Sequence, residues 1–384
     1  MFHILTLNKI SKSGLSHFDS TCFTCSDACE TPDAVIVRSA SMHEMELPEN
    51  LLAIARAGAG TNNIPIDRCT ERGIAVFNTP GANANAVKEL VICALFLTSR
   101  KIVEGTRWVE GLKGEGDNVS QKVEKGKSQF AGPEIMGKTL GVVGLGAIGT
   151  LVANCAKVLG MDVIAYVHRN PEEKKAKLLP GIEVTTDLDE LLAKSDYISL
   201  HAPQNDSTKN MICAASLSKA KDGVRILNFA RAGLVNDADL IAALDSGKVA
   251  AYATDFPTDN QLCHPGVVAI PHLGASTPES EENCAVMAVN ELSAYLTDGS
   301  VKNSVNLPNL SMEKQGKVRI SVIMRGDATD KARAALEDAG IRVMASVSAV
   351  KKDVGYALFD TDDEVTDALP ETLKDDAIIA VRII

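Results

Sequence analysis

Arg231 and His272 are the side chains through which this sequence could do chemistry. Arg231 stands in Asn228-Phe229-Ala230-Arg231-Ala232-Gly233, and His272 in Pro271-His272-Leu273-Gly274-Ala275-Ser276-Thr277. An arginine fork bonds two oxygens at once, which suits a carboxylate or a carbonyl. A histidine titrates near neutrality and can take the proton of a hydroxyl. An acid beside it would orient the ring and raise its pKa. Hydride transfer to a nicotinamide ring needs this set of groups. Each residue alone reads equally well as a surface ion pair or a satisfied polar contact. The pair becomes specific only beside a dinucleotide site.

Such a site is written in the glycines. Gly144, Gly146 and Gly149 form G-x-G-x-x-G directly after an apolar run at 139–143. Residues 151–159 follow with apolar side chains at helical spacing. The motif therefore lies between a strand and a helix, where a dinucleotide fingerprint needs it. The first glycine allows the tight turn, the second lets backbone approach a pyrophosphate, and the third lets helix and strand pack closely. The helix start offers unpaired N–H groups and a positive dipole end to phosphates.

Composition narrows the rest. A chain of 384 residues should make two or three domains. Hydrophobic residues are 45% and charged residues 23%, a globular balance. A net charge of −11 and a pI near 5.2 argue against nucleic-acid or anionic-membrane partners. An anionic substrate would need a local cluster of positive groups. No apolar run is long enough to span a membrane, and the N-terminus has no apolar leader. The nine cysteines lie singly except for Cys22, Cys25 and Cys29. That spacing resembles a metal site but has no fourth ligand nearby. It reads as a surface loop with free thiols and no metal, in a reducing cytoplasmic compartment.

The elements that must position these groups follow in order. Strands are expected at 2–7, 34–37, 52–56 and 74–77, ending in Arg38, in Arg56-Ala57-Gly58 and in Asn78-Thr79. Ligands of parallel sheets bind beyond such strand ends. A long helix runs from 85 to 98, and residues 111–133 hold no clear element. Strands near 163–167, 196–203, 225–231, 250–255 and 267–272 alternate with helices as a doubly wound sheet. A helix at 279–296 returns to the first domain. The end of the chain reads β-α-β-β-α-β, the ferredoxin-like order, with strands at 318–324, 341–350, 355–360 and 377–384 and helices at 328–339 and 364–374. The fold class is α/β: a Rossmann-type nucleotide domain (99–274) inserted in a flavodoxin-like substrate domain (1–98 and 275–302). A linker (303–315) and a small ACT-like α+β domain (316–384) follow.

Together these stretches resemble the D-2-hydroxyacid dehydrogenases, and within them the short-form D-3-phosphoglycerate dehydrogenases. The resemblance rests on residues 56–64 and 76–83, the glycine loop, Leu200-His201-Ala202-Pro203, Asn228-Phe229-Ala230-Arg231 and 271–277, and spans residues 34–307. It implies two similar α/β domains with the active site between them. It also implies NAD as cofactor and oxidation of 3-phospho-D-glycerate to 3-phosphohydroxypyruvate, the first step of serine synthesis. Arg231 would hold the substrate carboxylate and polarise the C2 oxygen, and His272 would take the hydroxyl proton. Gly144, Gly146, Ala147, Ile148 and Gly149 would cradle the pyrophosphate. His201, Ala202 and Pro203 would flank the adenosine, and Asp255 would meet the nicotinamide amide. Phe229, Ala230 and Gly274 complete the implied cofactor contacts. Ala57, Gly58 and Asn78 would touch the substrate, with Arg38 and Arg56 at its phosphate. A homodimer or homotetramer is implied.

Two positions depart from the family pattern. The catalytic glutamate expected a few residues beyond Asp255 is absent from Asp255-Phe256-Pro257-Thr258-Asp259-Asn260-Gln261, and none precedes His272. Asp259 is the nearest carboxylate, either a stand-in or a turn residue. The acid that usually binds the adenosine ribose is replaced by Val167-His168-Arg169-Asn170. His168 and Arg169 could meet a 2′-phosphate, which keeps NADP open beside NAD. Two alternatives stand beside the leading one. One is a hydroxypyruvate or glyoxylate reductase of the same family. The other is a non-catalytic dinucleotide-sensing scaffold.

Overall fold

Short apolar runs such as Ala34-Val35-Ile36-Val37 are buried on both faces, which is the signature of strands inside a parallel sheet covered by helices. The computed structural model describes residues 1–373 and 375–384. They divide into one unit of Met1–Asn83 with Pro278–Ile384 and a second of Ala84–Thr277.

In the first unit β1 (Phe2–Leu7), β2 (Phe23–Ser26), β3 (Ala34–Val37), β4 (Ala53–Arg56) and β5 (Ala75–Asn78) form a parallel sheet in the order β2-β1-β3-β4-β5. The helix Pro278–Asp298 lays Ala285, Ala288, Val289, Leu292 and Tyr295 into the core shared with this sheet. In the second unit β6 (Thr139–Val143), β7 (Asp162–Tyr166), β8 (Glu183–Thr185), β9 (Tyr197–Leu200), β10 (Val224–Asn228), β11 (Val249–Thr254) and β12 (Val267–Ala269) make the parallel order β12-β11-β10-β9-β6-β7-β8. The strand order reverses between β6 and β9, the position where doubly wound sheets bind ligands.

Near the end of the chain β13 (Val318–Arg325), β14 (Ala345–Lys351), β15 (Val354–Thr361) and β16 (Ile378–Ile383) form an antiparallel sheet ordered β14-β15-β13-β16. Helices Thr329–Asp338 and Leu369–Leu373 share one core with it through Leu336, Leu369 and Leu373. The expected helix at 364–374 is thus shorter, and its last residue, Lys374, lies outside the described residues.

Several boundaries differ from expectation. The helix Ala84–Arg100 belongs to the nucleotide unit, because Val87, Val91, Ala94 and Leu95 share a core with Val152, Ala153 and Ala156. Residues 303–315 are not a free linker. Ser304, Asn306, Leu307 and Leu310 are buried. Val305 N–H donates to Val76 O, and Asn306 Oδ1 accepts from Val76 N–H. The Asn and Ser content that suggested a linker instead satisfies the edge of β5. The antiparallel sheet is part of the first unit rather than a separate body, since Ile323, Tyr356 and Leu358 join the core of Ala288 and Leu292. The 111–133 stretch contains a helix, Val119–Gly126, none of whose residues is buried. The loop expected around Cys22, Cys25 and Cys29 holds β2, whose Phe23 is buried beside β1. Among the described residues no helix is long and apolar enough to cross a membrane.

Candidate active site

The glycine motif folds as its spacing requires. Gly144 turns out of β6 with φ of 99°, and a Cβ there would lie 2.8 Å from His201 O. A Cβ on Gly149 would lie 1.9 Å from Gly144 O, so the helix Ala147–Val158 can pack on the turn only without one. Nothing lies within 4 Å of a Cβ on Gly146, which caps that helix. The first N–H groups of the helix have no intrahelical acceptor. Open space beside these donors fits a pyrophosphate.

Adjacent β9 ends at Leu200, and His201 follows it. Burial pushes this imidazole down to about 4, so it is neutral, and its Nε2 bonds Ser199 Oγ at 2.8 Å. Ala202 is half-buried and Pro203 exposed. Beyond β7, buried Val167 leads to exposed His168 and Arg169, with no carboxylate among residues 167–170. Asn170 follows in the left-handed region at φ 54°.

The turn that carries Arg231 is held by a residue the sequence reading did not select. Asn228 is fully buried at the end of β10. Its Nδ2 donates to Arg231 O (3.0 Å) and Tyr252 Oη (3.1 Å). Its Oδ1 accepts from Ala230 N–H (3.3 Å) and Arg231 N–H (3.4 Å). Phe229 is buried behind this turn. Arg231 itself is exposed, with Nη1 on Ala230 O at 2.7 Å. An asparagine between a strand and an arginine was the available signal, because asparagine side chains commonly close such turns.

Asp255, at the end of β11, is 2% exposed, and its Oδ1 has no hydrogen-bond partner among the described residues. Burial holds its carboxyl above the usual range, opposed by the charges of His272 and Arg231 and by the Gly274 N–H. The structure thus brings Arg231, Asp255, His272 and Gly274 together. An orphaned buried acceptor beside the exposed Arg231 and His272 side chains fits a ligand that donates, as the carboxamide of a nicotinamide does. Phe256 joins them unanticipated. Its ring centroid is 4.4 Å from that of His272 and 5.8 Å from Arg231 Cζ. Asp259 is not drawn in. It is exposed, opens a 3₁₀ turn, and makes no hydrogen bond or ion pair to His272 among the described residues. The shortened loop is tied instead to Asp237, which accepts from Thr258 Oγ1, Asn260 Nδ2 and Gln261 Nε2.

In the first unit Val37, Arg56 and Asn78 stand in register on β3, β4 and β5. Arg56 Nε donates to Arg38 O at 3.0 Å. A Cβ on Gly58 would meet Arg56 Nη1 at 1.9 Å, so the guanidinium lies over the glycine. Ala57 N–H bonds Val37 O, and Asn78 Nδ2 bonds Ala59 O at 2.6 Å. Two guanidinium groups at one sheet end suit an anion. Arg38 already pairs with Glu281 at 2.7 Å.

Comparison with known proteins agrees with this geometry. Residues 92–274 match the model of the D-isomer specific 2-hydroxyacid dehydrogenase, NAD binding domain. A D-3-phosphoglycerate dehydrogenase of Bacillus subtilis is 33% identical over 83% of this chain and 62% of its own length. A hydroxypyruvate reductase of Thermotoga maritima is 40% identical over 68% of this chain and 83% of its own. An NAD+-bound 3-phosphoglycerate dehydrogenase of Entamoeba histolytica superposes with a TM-score of 0.60 and 26% identity, covering 80% of this chain and 99% of that one. The chain spans little more than half the length of several curated relatives, 54% and 52% for two archaeal phosphoglycerate dehydrogenases. The nucleotide unit, with its glycine turn, neutral His201 and orphaned Asp255 oxygen, is the family's NAD-binding domain. The chain belongs to the D-isomer specific 2-hydroxyacid dehydrogenase family.

Proposed function

We propose that this protein oxidises 3-phospho-D-glycerate to 3-phosphohydroxypyruvate with NAD, the step that opens serine synthesis. The observation that carries the reading is the gathering of Arg231, Asp255 and His272 at strand ends of an NAD-binding unit. The bound dinucleotide supplies the hydride acceptor. Gly144, Gly146, Ala147, Ile148 and Gly149 hold its pyrophosphate by backbone N–H groups. His201, Ala202 and Pro203 lie along its adenosine, and Phe229, Ala230 and Gly274 along its nicotinamide end. Asp255 accepts from its carboxamide. Arg231 grips the substrate carboxylate and polarises the C2 oxygen. His272 takes the hydroxyl proton as the C2–H bond gives up its hydride. Backbone at Ala57 and Gly58, with Asn78, contacts the substrate. Arg38 and Arg56 meet the phosphate and offset the repulsion of an acidic protein for a multiply charged anion.

A second reading, a reductase for unphosphorylated hydroxypyruvate or glyoxylate, is favoured by the ion pair that already engages Arg38 and by the Thermotoga relative. The test is a reductive assay with phosphohydroxypyruvate, hydroxypyruvate and glyoxylate, each with NADH and NADPH. Preference for the phosphorylated acid supports the leading reading, and turnover only of the other two supports the second. Dinucleotide binding with no turnover of any acid points to a sensing scaffold. Preference for NADPH assigns the 2′-phosphate to His168 and Arg169. The reading includes a cytoplasmic homodimer or homotetramer, which light scattering checks. It treats the ACT-like C-terminal sheet as a packing element. A serine-induced change in rate or Tm would overturn that role.

A further inference from the structure

The site lacks the group that would ordinarily hold its histidine. No glutamate lies between Asp255 and His272, and Asp259 is exposed and makes no bond to the imidazole among the described residues. What touches the His272 ring is Phe256, with centroids 4.4 Å apart and planes inclined at 48°. The same phenyl ring lies 5.8 Å from the guanidinium carbon of Arg231. Phe256 is itself well fixed. Its N–H donates to the Oγ1 of fully buried Thr254 at 3.0 Å, Pro257 follows it, and its ring is half-buried. One side chain therefore contacts both groups to which the proposed reaction assigns charge.

We propose that Phe256 is the positioning residue of this site: its ring is the surface on which the His272 imidazole and the Arg231 guanidinium are both held. The inference rests on the function proposed above. A phenyl ring is negative on its faces and draws cations there. Arg231 is always cationic. His272 becomes cationic when it takes the hydroxyl proton, so its attraction to the ring grows during that step. An interaction that strengthens as the reaction proceeds lowers the barrier, whereas one of constant strength does not. Buried Asp255 adds negative charge acting on the same imidazole. In this arrangement the imidazole plane is set by an aromatic contact, with no carboxylate bonded to it among the described residues.

The experiment compares wild type with Phe256→Leu, which keeps apolar bulk and removes the aromatic face, and Phe256→Tyr, which keeps the face. The first readout needs no turnover: the ring resonances of His272 in 13C-histidine-labelled protein, assigned by their loss in His272→Gln. In wild type they should be displaced by the phenyl ring current, in Phe256→Tyr similarly, and in Phe256→Leu they should return toward free-imidazole positions. The second readout is kinetic. Phe256→Leu should lower kcat about 3- to 30-fold, the range expected for losing a cation–π contact. Its NADH Kd should stay at the wild-type value, and Phe256→Tyr should remain within about 2-fold of wild-type kcat. Wild-type His272 resonances at free-imidazole positions would overturn the proposal even if the leucine variant does not fold. So would a folded Phe256→Leu with unchanged kcat. If no 2-oxo acid is turned over by wild type, the functional reading fails, and the resonances still decide whether Phe256 holds His272.

Discussion

Asp255 and Asp360 are both buried, at 2% and 0% exposure, and their surroundings are opposite. Asp360, in the antiparallel sheet, receives Arg319 Nε on Oδ1 at 2.7 Å, and Nη2 on Oδ2 at 2.9 Å. Gln315 N–H adds a third bond at 2.8 Å. Burial alone would raise its carboxyl, yet these bonds hold it below the usual range. Arg319 is 1% exposed and also donates to Asp298 O, which ties the sheet to the helix Pro278–Asp298. Asp255 has an orphaned oxygen, is held above the usual range, and sits beside an arginine that is exposed. A buried acid whose bonds are all made within the chain serves the fold. One left partly unmade is a place where a ligand completes the structure.

The largest expected effect removes chemistry and spares the fold. His272→Gln should lower kcat by about 10²- to 10⁴-fold, the usual contribution of a general base. Because His272 is exposed, its Tm should match wild type. A full-activity variant would end the role assigned to this histidine.

Matched substitutions at the two aspartates come next. Asp360→Asn leaves Arg319 as an uncompensated buried charge and should cost about 3–5 kcal/mol in denaturant unfolding. The refolded fraction should keep wild-type kcat. Asp255→Asn should leave stability equal or higher and raise the NADH Kd about 10-fold or more by losing a charged acceptor. If both variants lose stability alike, the contrast drawn between the acids is wrong. The pH behaviour has opposite sign at the two sites. Asp360, with a depressed pKa, adds stability above the ordinary aspartate value, and this is lost as pH falls through the folded value. Asp255, with a raised pKa, contributes a loss of stability as pH rises.

Glu291 sharpens the comparison, since it is a buried acid outside the proposed chemistry. It is 5% exposed and lines a cleft of about 1020 Å³ with Met287, Asn290, Lys302, Asn303 and Leu310. Oε1 accepts from Asn303 Nδ2 at 2.7 Å, while Oε2 has no partner among the described residues. Burial pushes its carboxyl from the ordinary 4.5 up to about 8, opposed by Asn303 and the Lys302 charge. Stability tied to this group is present below the ordinary value and is lost as pH rises through the folded one. Glu291→Gln should therefore melt a few degrees above wild type at pH 8 and close to it at pH 5, read as Tm in paired scans. A constant gap across that range would exclude Glu291 as the titrating group.

The smallest effect concerns the partly exposed pair of Arg38 and Glu281, whose net stabilisation should lie within about 1 kcal/mol. Glu281→Gln releases Arg38 for a phosphate. It should lower KM for the phosphorylated acid about 2- to 5-fold, consistent with a modest, partly exposed charge contact, and leave hydroxypyruvate unchanged. Equal changes on both substrates would remove Arg38 from the phosphate site.

Much of this was legible along the chain because it is encoded within a few neighbouring residues. Apolar runs marked β3, β4, β6 and β9, and the Gly144, Gly146 and Gly149 spacing marked the strand–turn–helix and its ligand. Arg231 and His272 stood out by residue type at strand ends. These features depend on local sterics, turn chemistry and side-chain period, which need no knowledge of distant partners. Tertiary structure alone decided the rest. Asn306 became a buried bond to β5 instead of part of a linker, and the helix Ala84–Arg100 joined the nucleotide core. Arg319 found Asp360 across 41 residues. Phe256 came to lie against a histidine sixteen residues away, while Asp259, nearer in sequence to His272, turned toward solvent. Those outcomes depend on which strand ends lie side by side, and parallel pairing between segments far apart in the chain leaves no mark at any single position.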